Sequence, residues 1–259
     1  MIKEIGMQDG PRFISLSGKG GSGKTTTISL LLAALLRQGK LRDILVIDAD
    51  PDANLARTLG VEVTWTVGNL VDKRKKELDE LGGSGTKMRF LVWDALCQGP
   101  GFDLLVMGRS SGEGCYCSVN TVLGSIFEDI VSKYECVLID FDAGIEHFSR
   151  RACNPADTLI ITCDPSRLSF DTAGRIVELV RELSLPYERI YTLGCRYTPE
   201  QRPRFYEMTA RAGLTPLGLI EYDLDIVDRN LTGKSLLDLD HNSPAMVTAE
   251  CILDELIFD

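Results

Sequence analysis

The sequence predicts an α/β protein with a doubly wound, mostly parallel sheet flanked by helices, and three observations predict it. Short apolar, β-rich runs recur along the chain: Phe13 to Leu16, Ile44 to Ile47, Leu104 to Met107, Val137 to Ile139, Leu159 to Thr162, Ile190 to Leu193 and Leu217 to Ile220. They are continuous in apolar character rather than alternating, the pattern of strands buried on both faces, with only Ser15, Thr162 and Thr192 as polar interruptions. Between them lie segments of helical periodicity, such as Ile28, Leu31, Leu32, Leu35 and Leu36, or Ile176, Leu179, Val180 and Leu183. Strand and helix in alternation build a parallel sheet with helices on both sides.

A chain of 259 residues is within the reach of one open α/β sheet, so residues 1–259 read as a single domain. Two stretches depart from the strand-helix rhythm. Residues 72–90 hold the charge run Lys73-Arg74-Lys75-Lys76-Glu77 and the break Gly82-Gly83-Ser84-Gly85, a solvated helix and flexible loop that make a mobile surface excursion. Residues 108–118 hold a glycine-rich loop with two cysteines.

With 44% hydrophobic and 25% charged residues, the composition is that of a folded globular protein rather than a disordered one. A net charge of −10 argues against nucleic acid as a partner, since such binding depends on lysine and arginine neutralising phosphates. No run approaches the roughly 18–20 apolar residues that span a bilayer. The start, Met1-Ile2-Lys3-Glu4-Ile5, is too polar for a secretory signal, so the expected compartment is the cytoplasm and no membrane is expected as a partner.

The strongest chemical signal is Gly18-Lys19-Gly20-Gly21-Ser22-Gly23-Lys24-Thr25-Thr26. It follows a predicted strand and opens a predicted helix, the context a phosphate-binding loop requires. Glycines let successive backbone N–H groups face the phosphates. Lys24 would reach the β- and γ-phosphate oxygens, and the Thr25 hydroxyl would serve Mg²⁺. The expected cofactors are therefore ATP or ADP with Mg²⁺. A second acidic cluster, Asp48-Ala49-Asp50-Pro51-Asp52-Ala53-Asn54, follows the next strand, at the sheet edge where open α/β folds bind ligands. Asp48, Asp52 and Asn54 read equally well as residues that cap a loop. A third element, Val137-Leu138-Ile139-Asp140-Phe141-Asp142-Ala143-Gly144, is an apolar strand ending in an acid. Asp140 would hold Mg²⁺ through its water shell, and Gly144 would let the backbone rearrange when the γ-phosphate leaves. His147, just beyond, reads as structural, because phosphoryl transfer needs positioning and charge more than a histidine base.

Gly112-Glu113-Gly114-Cys115-Tyr116-Cys117 supplies two thiolates two residues apart. They make half of a tetrahedral thiolate site, which the same pair from a second subunit would complete around Zn²⁺ or Ni²⁺. The alternative is a pair of incidental, redox-labile cysteines.

The phosphate loop carries a second lysine, Lys19, that a simple loop of this kind does not need. The run Gly-Lys-Gly-Gly-Ser-Gly-Lys-Thr-Thr resembles the deviant Walker motif of the SIMIBI-class ATPases that include the nitrogenase iron protein, division-site and chromosome-partitioning ATPases and metallocentre maturation ATPases. The resemblance implies that Lys19 reaches across a homodimer to the partner's nucleotide, with Lys19, Lys24, Asp50 and Asp140 as the catalytic set. It also places Asp50 in the first switch, beside the Mg²⁺ shell.

Taken with Cys115 and Cys117, the loop, the Asp140 to His147 segment and Pro216-Leu217-Gly218-Leu219-Ile220-Glu221-Tyr222-Asp223 look like the CooC-type maturation ATPases of nickel carbon monoxide dehydrogenases and the related AcsF-type factors of acetyl-CoA synthase. The resemblance implies an ATP-driven dimer, bridged by nucleotide and metal, that assists nickel insertion into an apo-enzyme client. Where that family carries an asparagine before a basic residue, this chain has Cys195-Arg196, which leaves Arg196 to stack on the base.

Two other readings stand beside it. A partitioning or division-site ATPase calls for a basic face or a basic C-terminal amphipathic helix, and the run Met246 to Asp259 instead carries Glu250, Asp254, Glu255 and Asp259. An iron–sulfur electron-transfer ATPase calls for differently spaced cysteines, since the position after the second switch is His147, with Cys153 further on.

Overall fold

The computed structural model describes residues 11–80, 92–109, 130–141 and 157–258. The strands are β1 (Arg12–Gly18), β2 (Ile44–Asp48), β3 (Leu96–Gly99), β4 (Phe102–Val106), β5 (Cys136–Asp140), β6 (Thr158–Cys163), β7 (Arg189–Tyr197) and β8 (Pro216–Glu221). They form one sheet in the order β3-β4-β2-β5-β1-β6-β7-β8. Every pairing is parallel except that of β3 with β4.

All seven runs predicted as strands are strands. β2, β5 and β6 are buried along their whole length, which is why their sequences are apolar without alternation. The strand missing from the sequence reading is β3, an edge strand whose residues are mostly half-buried. It returns on β4 through Pro100-Gly101, with Gly99 facing Phe102. Proline fixes the first corner of this turn, and Gly101, at φ 87°, takes the left-handed second corner.

The described helices of more than one turn are α1 (Lys24–Gln38), α2 (Leu55–Leu59), α3 (Val67–Glu80), α4 (Arg167–Glu182), α5 (Arg202–Arg211), α6 (Leu224–Thr232) and α7 (Pro244–Phe258). They divide between the two faces. On one, α1 and α7 press Ile28, Leu31, Leu35, Met246, Ile252 and Leu253 against Leu16, Val46, Leu138 and Ile160. On the other, α3 and α4 press Val67, Leu70, Phe170, Ile176 and Val180 against Phe13, Ile47, Ile139 and Ile161. The charge run starting at Lys73 lies on α3, so a helix accounts for the first part of the excursion; residues 81–90 fall outside the described residues.

Local chemistry sets the helix ends. Ser166 caps α4, its hydroxyl accepting from the Ser169 N–H, and Gly39 closes α1 in the left-handed conformation.

β1 sits in the middle of the sheet between β5 and β6, and the chain winds outward from it in both directions. The crevice at such a reversal, beyond the carboxyl ends of the strands, is where this fold class takes ligands. It is lined by the segments that leave β1 and β2, by the end of β7, and by the end of β8 with α6.

Leu253 is fully buried between α7 and the sheet. Leu253→Ala should lower unfolding free energy by about 2–5 kcal/mol, read from urea denaturation followed by far-UV circular dichroism.

Candidate nucleotide site

The loop leaving β1 turns where there is no room for a side chain. Gly18 has φ 147°, and a Cβ there would lie 2.6 Å from the Thr162 carbonyl oxygen of β6. The turn closes with the Ser22 N–H donating to the Lys19 carbonyl at 3.0 Å. A buried hydroxyl pair, Ser22 Oγ with Thr162 Oγ1 at 2.6 Å, fixes the loop to β6. Gly23, at φ 108°, then sits over Cys195, whose Cβ would be 3.0 Å from an added methyl. α1 begins at the next residue, so its unpaired N–H groups and positive dipole end open into the crevice. Lys24 is buried and curls back over the loop, its ammonium donating to the Gly18 carbonyl at 3.3 Å.

The acids converge on the same point. Thr25 donates its hydroxyl to Asp140 Oδ2 at 2.7 Å. Asp140 is aligned across the sheet with Asp48, and both carboxylates are buried. Burial, reinforced by the Asp140 charge, pushes the Asp48 carboxyl up to about 7. Asp48 is also the brace of the next loop: it accepts the Asp50 N–H at 3.2 Å and the Leu55 N–H at 3.0 Å. Asp50 accepts the Asp52 N–H at 2.8 Å, and Asp52 pairs with Arg109 at 2.5 Å. Asp48 therefore has the loop-holding role that its spacing allowed, and Asp50 lines the crevice.

Asp164, just after β6, is a residue the sequence reading passed over. Its Oδ2 accepts the Lys19 ammonium at 2.8 Å and lies 3.4 Å from the Arg196 guanidinium. Burial raises this carboxyl, but hydrogen bonds from Lys19 and Ser166, with the Lys19 charge, outweigh it and hold the group below the ordinary carboxylate range. Arg196, at a left-handed φ of 63°, also donates to the Gly21 carbonyl. Its guanidinium is thus engaged with the phosphate loop and Asp164, whereas the sequence left it to stack on a base. Asp164-Pro165 repeats the signal of Asp50-Pro51, an acid and a proline after an apolar strand, and that signal marks it.

The crevice has a volume of about 690 Å³. At one end are Gly20, Gly21, Gly23, Lys24, Thr25, Thr26 and Asp50; at the other are Ile220 to Asp223, Ile226 and Asn230. One end offers N–H groups, a lysine and a hydroxyl to phosphates. The other offers a wall of Ile220, Ile226 and Val227 with the polar Glu221, Asp223 and Asn230, of the size a nucleoside needs. Thr25 and Asp140 are hard oxygen donors in contact, the donor set Mg²⁺ prefers. Among the described residues there is no group of three histidine, cysteine or acidic side chains that could hold a metal. Cys115, Cys117, Asp142, Gly144, Glu146, His147 and Cys153 lie outside the described residues.

The model of the CobQ/CobB/MinD/ParA nucleotide binding domain matches residues 13–236. The chain belongs to this family. An uncharacterised ATP-binding protein of Methanocaldococcus jannaschii is 40% identical over 94% of this chain and 98% of its own length. The carbon monoxide dehydrogenase accessory protein CooC of Rhodospirillum rubrum is 36% identical over 66% of this chain and 70% of its own. Among solved structures, septum site-determining protein MinD of Pyrococcus horikoshii, complexed with Mg-ADP, matches with TM-score 0.71 at 22% identity, over 95% of this chain and 96% of that one. A ParA-family ATPase of Chlorobium tepidum gives the same TM-score at 20% identity, over 96% and 99%. As a member of the MinD/ParA class, the protein is an ATPase.

The elevated Asp48 carboxyl has a sign. Its pKa rises from the ordinary 3.8 to about 7 on folding, so its contribution to stability is complete below the unfolded value and is lost as pH rises through about 7. In Mg²⁺-free, nucleotide-free buffer the urea midpoint should fall between about pH 5 and about pH 8, and Asp48→Asn should flatten that fall.

Proposed function

We propose that this protein is an ATP-hydrolysing maturation factor, acting in the cytoplasm as a nucleotide-dependent homodimer that assists nickel insertion into an apo-enzyme, carbon monoxide dehydrogenase or acetyl-CoA synthase. The observation that carries this reading is the two-lysine phosphate loop in a chain 36% identical to a carbon monoxide dehydrogenase accessory protein, with Cys115 and Cys117 available as cargo ligands. The full-length relation to an archaeal ATP-binding protein is consistent with it.

The residues have separate tasks. The N–H groups of the loop and of the first turn of α1 hold the β- and γ-phosphates, and Lys24 moves its ammonium from the Gly18 carbonyl onto them. Thr25 and Asp140 would hold Mg²⁺, which would supply neutralisation of phosphate charge. Asp50, on the loop that Asp48 braces, orients the attacking water. Lys19 crosses to the partner's nucleotide and stabilises charge that develops in the transition state. To do so it must leave Asp164; Arg196, 3.4 Å from the same carboxylate, then keeps that charge compensated. Cys115 and Cys117 carry the cargo, Ni²⁺ or Zn²⁺, between two subunits.

A positioning ATPase is the second reading, because septum site-determining protein MinD of Synechocystis is 33% identical over 63% of this chain. Against it stands α7, which buries Met246, Ile252, Leu253, Leu256 and Ile257 in the core and carries Glu250, Asp254 and Glu255. Among the described residues no helix is long and apolar enough to cross a membrane.

Lys24→Ala should abolish binding of a fluorescent ATP analogue, whereas Lys19→Ala should retain binding and lower hydrolysis by about 10²-fold or more, the scale of losing one transition-state charge contact. Equal loss of binding in both variants would contradict the division of labour. Light scattering should show ATP and Ni²⁺ together driving a dimer. Cys115→Ala plus Cys117→Ala should remove the Ni²⁺ effect and spare the ATP effect; a dimer indifferent to these substitutions removes metal from the assembly.

A further inference from the structure

A second recess, of about 680 Å³, lies between α4 and α5 and shares no wall residue with the nucleotide crevice. Its floor is apolar, with Phe170, Tyr197 and Met208, and its rim carries Arg167, Arg204 and Arg211. These guanidiniums are well exposed and loosely paired: Arg167 with Asp171 at 3.9 Å, and Arg204 and Arg211 each at 3.4 Å from the one carboxylate of Glu207. Exposed pairs at such distances contribute little and exchange readily. Two arginines sharing one acid leave the rim with surplus positive charge, on a chain whose net charge is −10.

We propose that this recess docks an acidic segment of a partner protein, with an apolar side chain seated on Phe170 and Met208 and flanking carboxylates taken by Arg204, Arg211 and Arg167. The planar guanidinium fork suits carboxylates held in two-point contact. The volume exceeds what a single inorganic anion fills and suits a few residues of extended chain.

The recess touches the nucleotide site through Asp164. Tyr197, in its floor, donates its hydroxyl to the Asp164 carbonyl at 3.0 Å. Ser166, in its wall, donates to the Asp164 carboxylate, the group that holds Lys19 at 2.8 Å. A segment seated here bears on the residue that tethers Lys19, so docking alters ATP turnover. The inference rests on the ATPase activity and on the Lys19 tether, and is independent of nickel.

The test uses a fluorescein-labelled, glutamate-rich pentapeptide with a central phenylalanine, titrated by anisotropy into the full chain with Mg-ATP, and a lysine-rich counterpart as control. The acidic peptide should bind, and more weakly as salt rises. Arg204→Glu plus Arg211→Glu should weaken it about tenfold or more while peptide-free ATP hydrolysis stays at the wild-type rate. Saturating peptide should change wild-type turnover by about twofold or more. Arg204→Lys plus Arg211→Lys, which keep charge without the fork, should bind with intermediate affinity. Equal binding of acidic and basic peptides, an affinity untouched by charge reversal, or turnover indifferent to bound peptide would each overturn the proposal. So would a wild type that ignores the peptide while charge reversal dissolves a dimer in sedimentation, which assigns the recess to a second copy.

Discussion

The close approach of the phosphate loop to strand β6 is the constraint on which the rest of the site depends. Gly18 turns away from β1 with the Thr162 carbonyl 2.6 Å from where a Cβ would stand, and the Ser22 and Thr162 hydroxyls meet at 2.6 Å in the same corner. Only glycine can make that turn there. The loop is thereby fastened to β6, and β6 ends in Cys163, immediately before Asp164. One steric requirement therefore places Lys19 within 2.8 Å of Asp164, starts α1 at Lys24, and brings Thr25 to Asp140. Adding a methyl at position 18 disturbs all three relations together.

Much of this was legible in the sequence because the signals had physical causes that survive folding. Strands buried on both faces must be apolar throughout, so β2, β5 and β6 announced themselves, and the largely apolar runs of β1, β4, β7 and β8 stood out in the same way. The phosphate loop is written in glycines, which the backbone requires. β3 was missed because Leu96-Cys97-Gln98-Gly99 is short, half-buried and mixed, with no apolar run to mark it.

Side-chain partners were far less legible. Nothing in a linear pattern sets Asp164 opposite Lys19, 145 residues earlier, because sheet order and not chain order makes β1 and β6 neighbours. Arg196 shows the same limit from the other side. Its position at the end of β7 was readable, but its left-handed backbone turns its guanidinium to Gly21 and Asp164. Cys195 beside it packs under Gly23 and against Thr27, so a side chain at the end of β7 also supports the loop.

The polar groups of the crevice engage one another. The Lys24 ammonium rests on the Gly18 carbonyl, Lys19 on Asp164, and the Thr25 hydroxyl on Asp140. These are the groups that the proposed reaction assigns to phosphates, to the partner's nucleotide and to Mg²⁺. Binding is then an exchange of partners, and its net free energy is much smaller than the sum of the new contacts. Such an arrangement suits a switch better than a tight storage site. A ligand shifts a conformational balance only by its differential affinity for the two states, and the differential here is concentrated where the γ-phosphate would compete with protein oxygens. Asp48 adds to it. Burial and the Asp140 charge raise its carboxyl, and that carboxyl accepts the N–H groups of Asp50 and Leu55. The loop that carries Asp50 is therefore held by a carboxylate that stands next to the residue assigned to Mg²⁺.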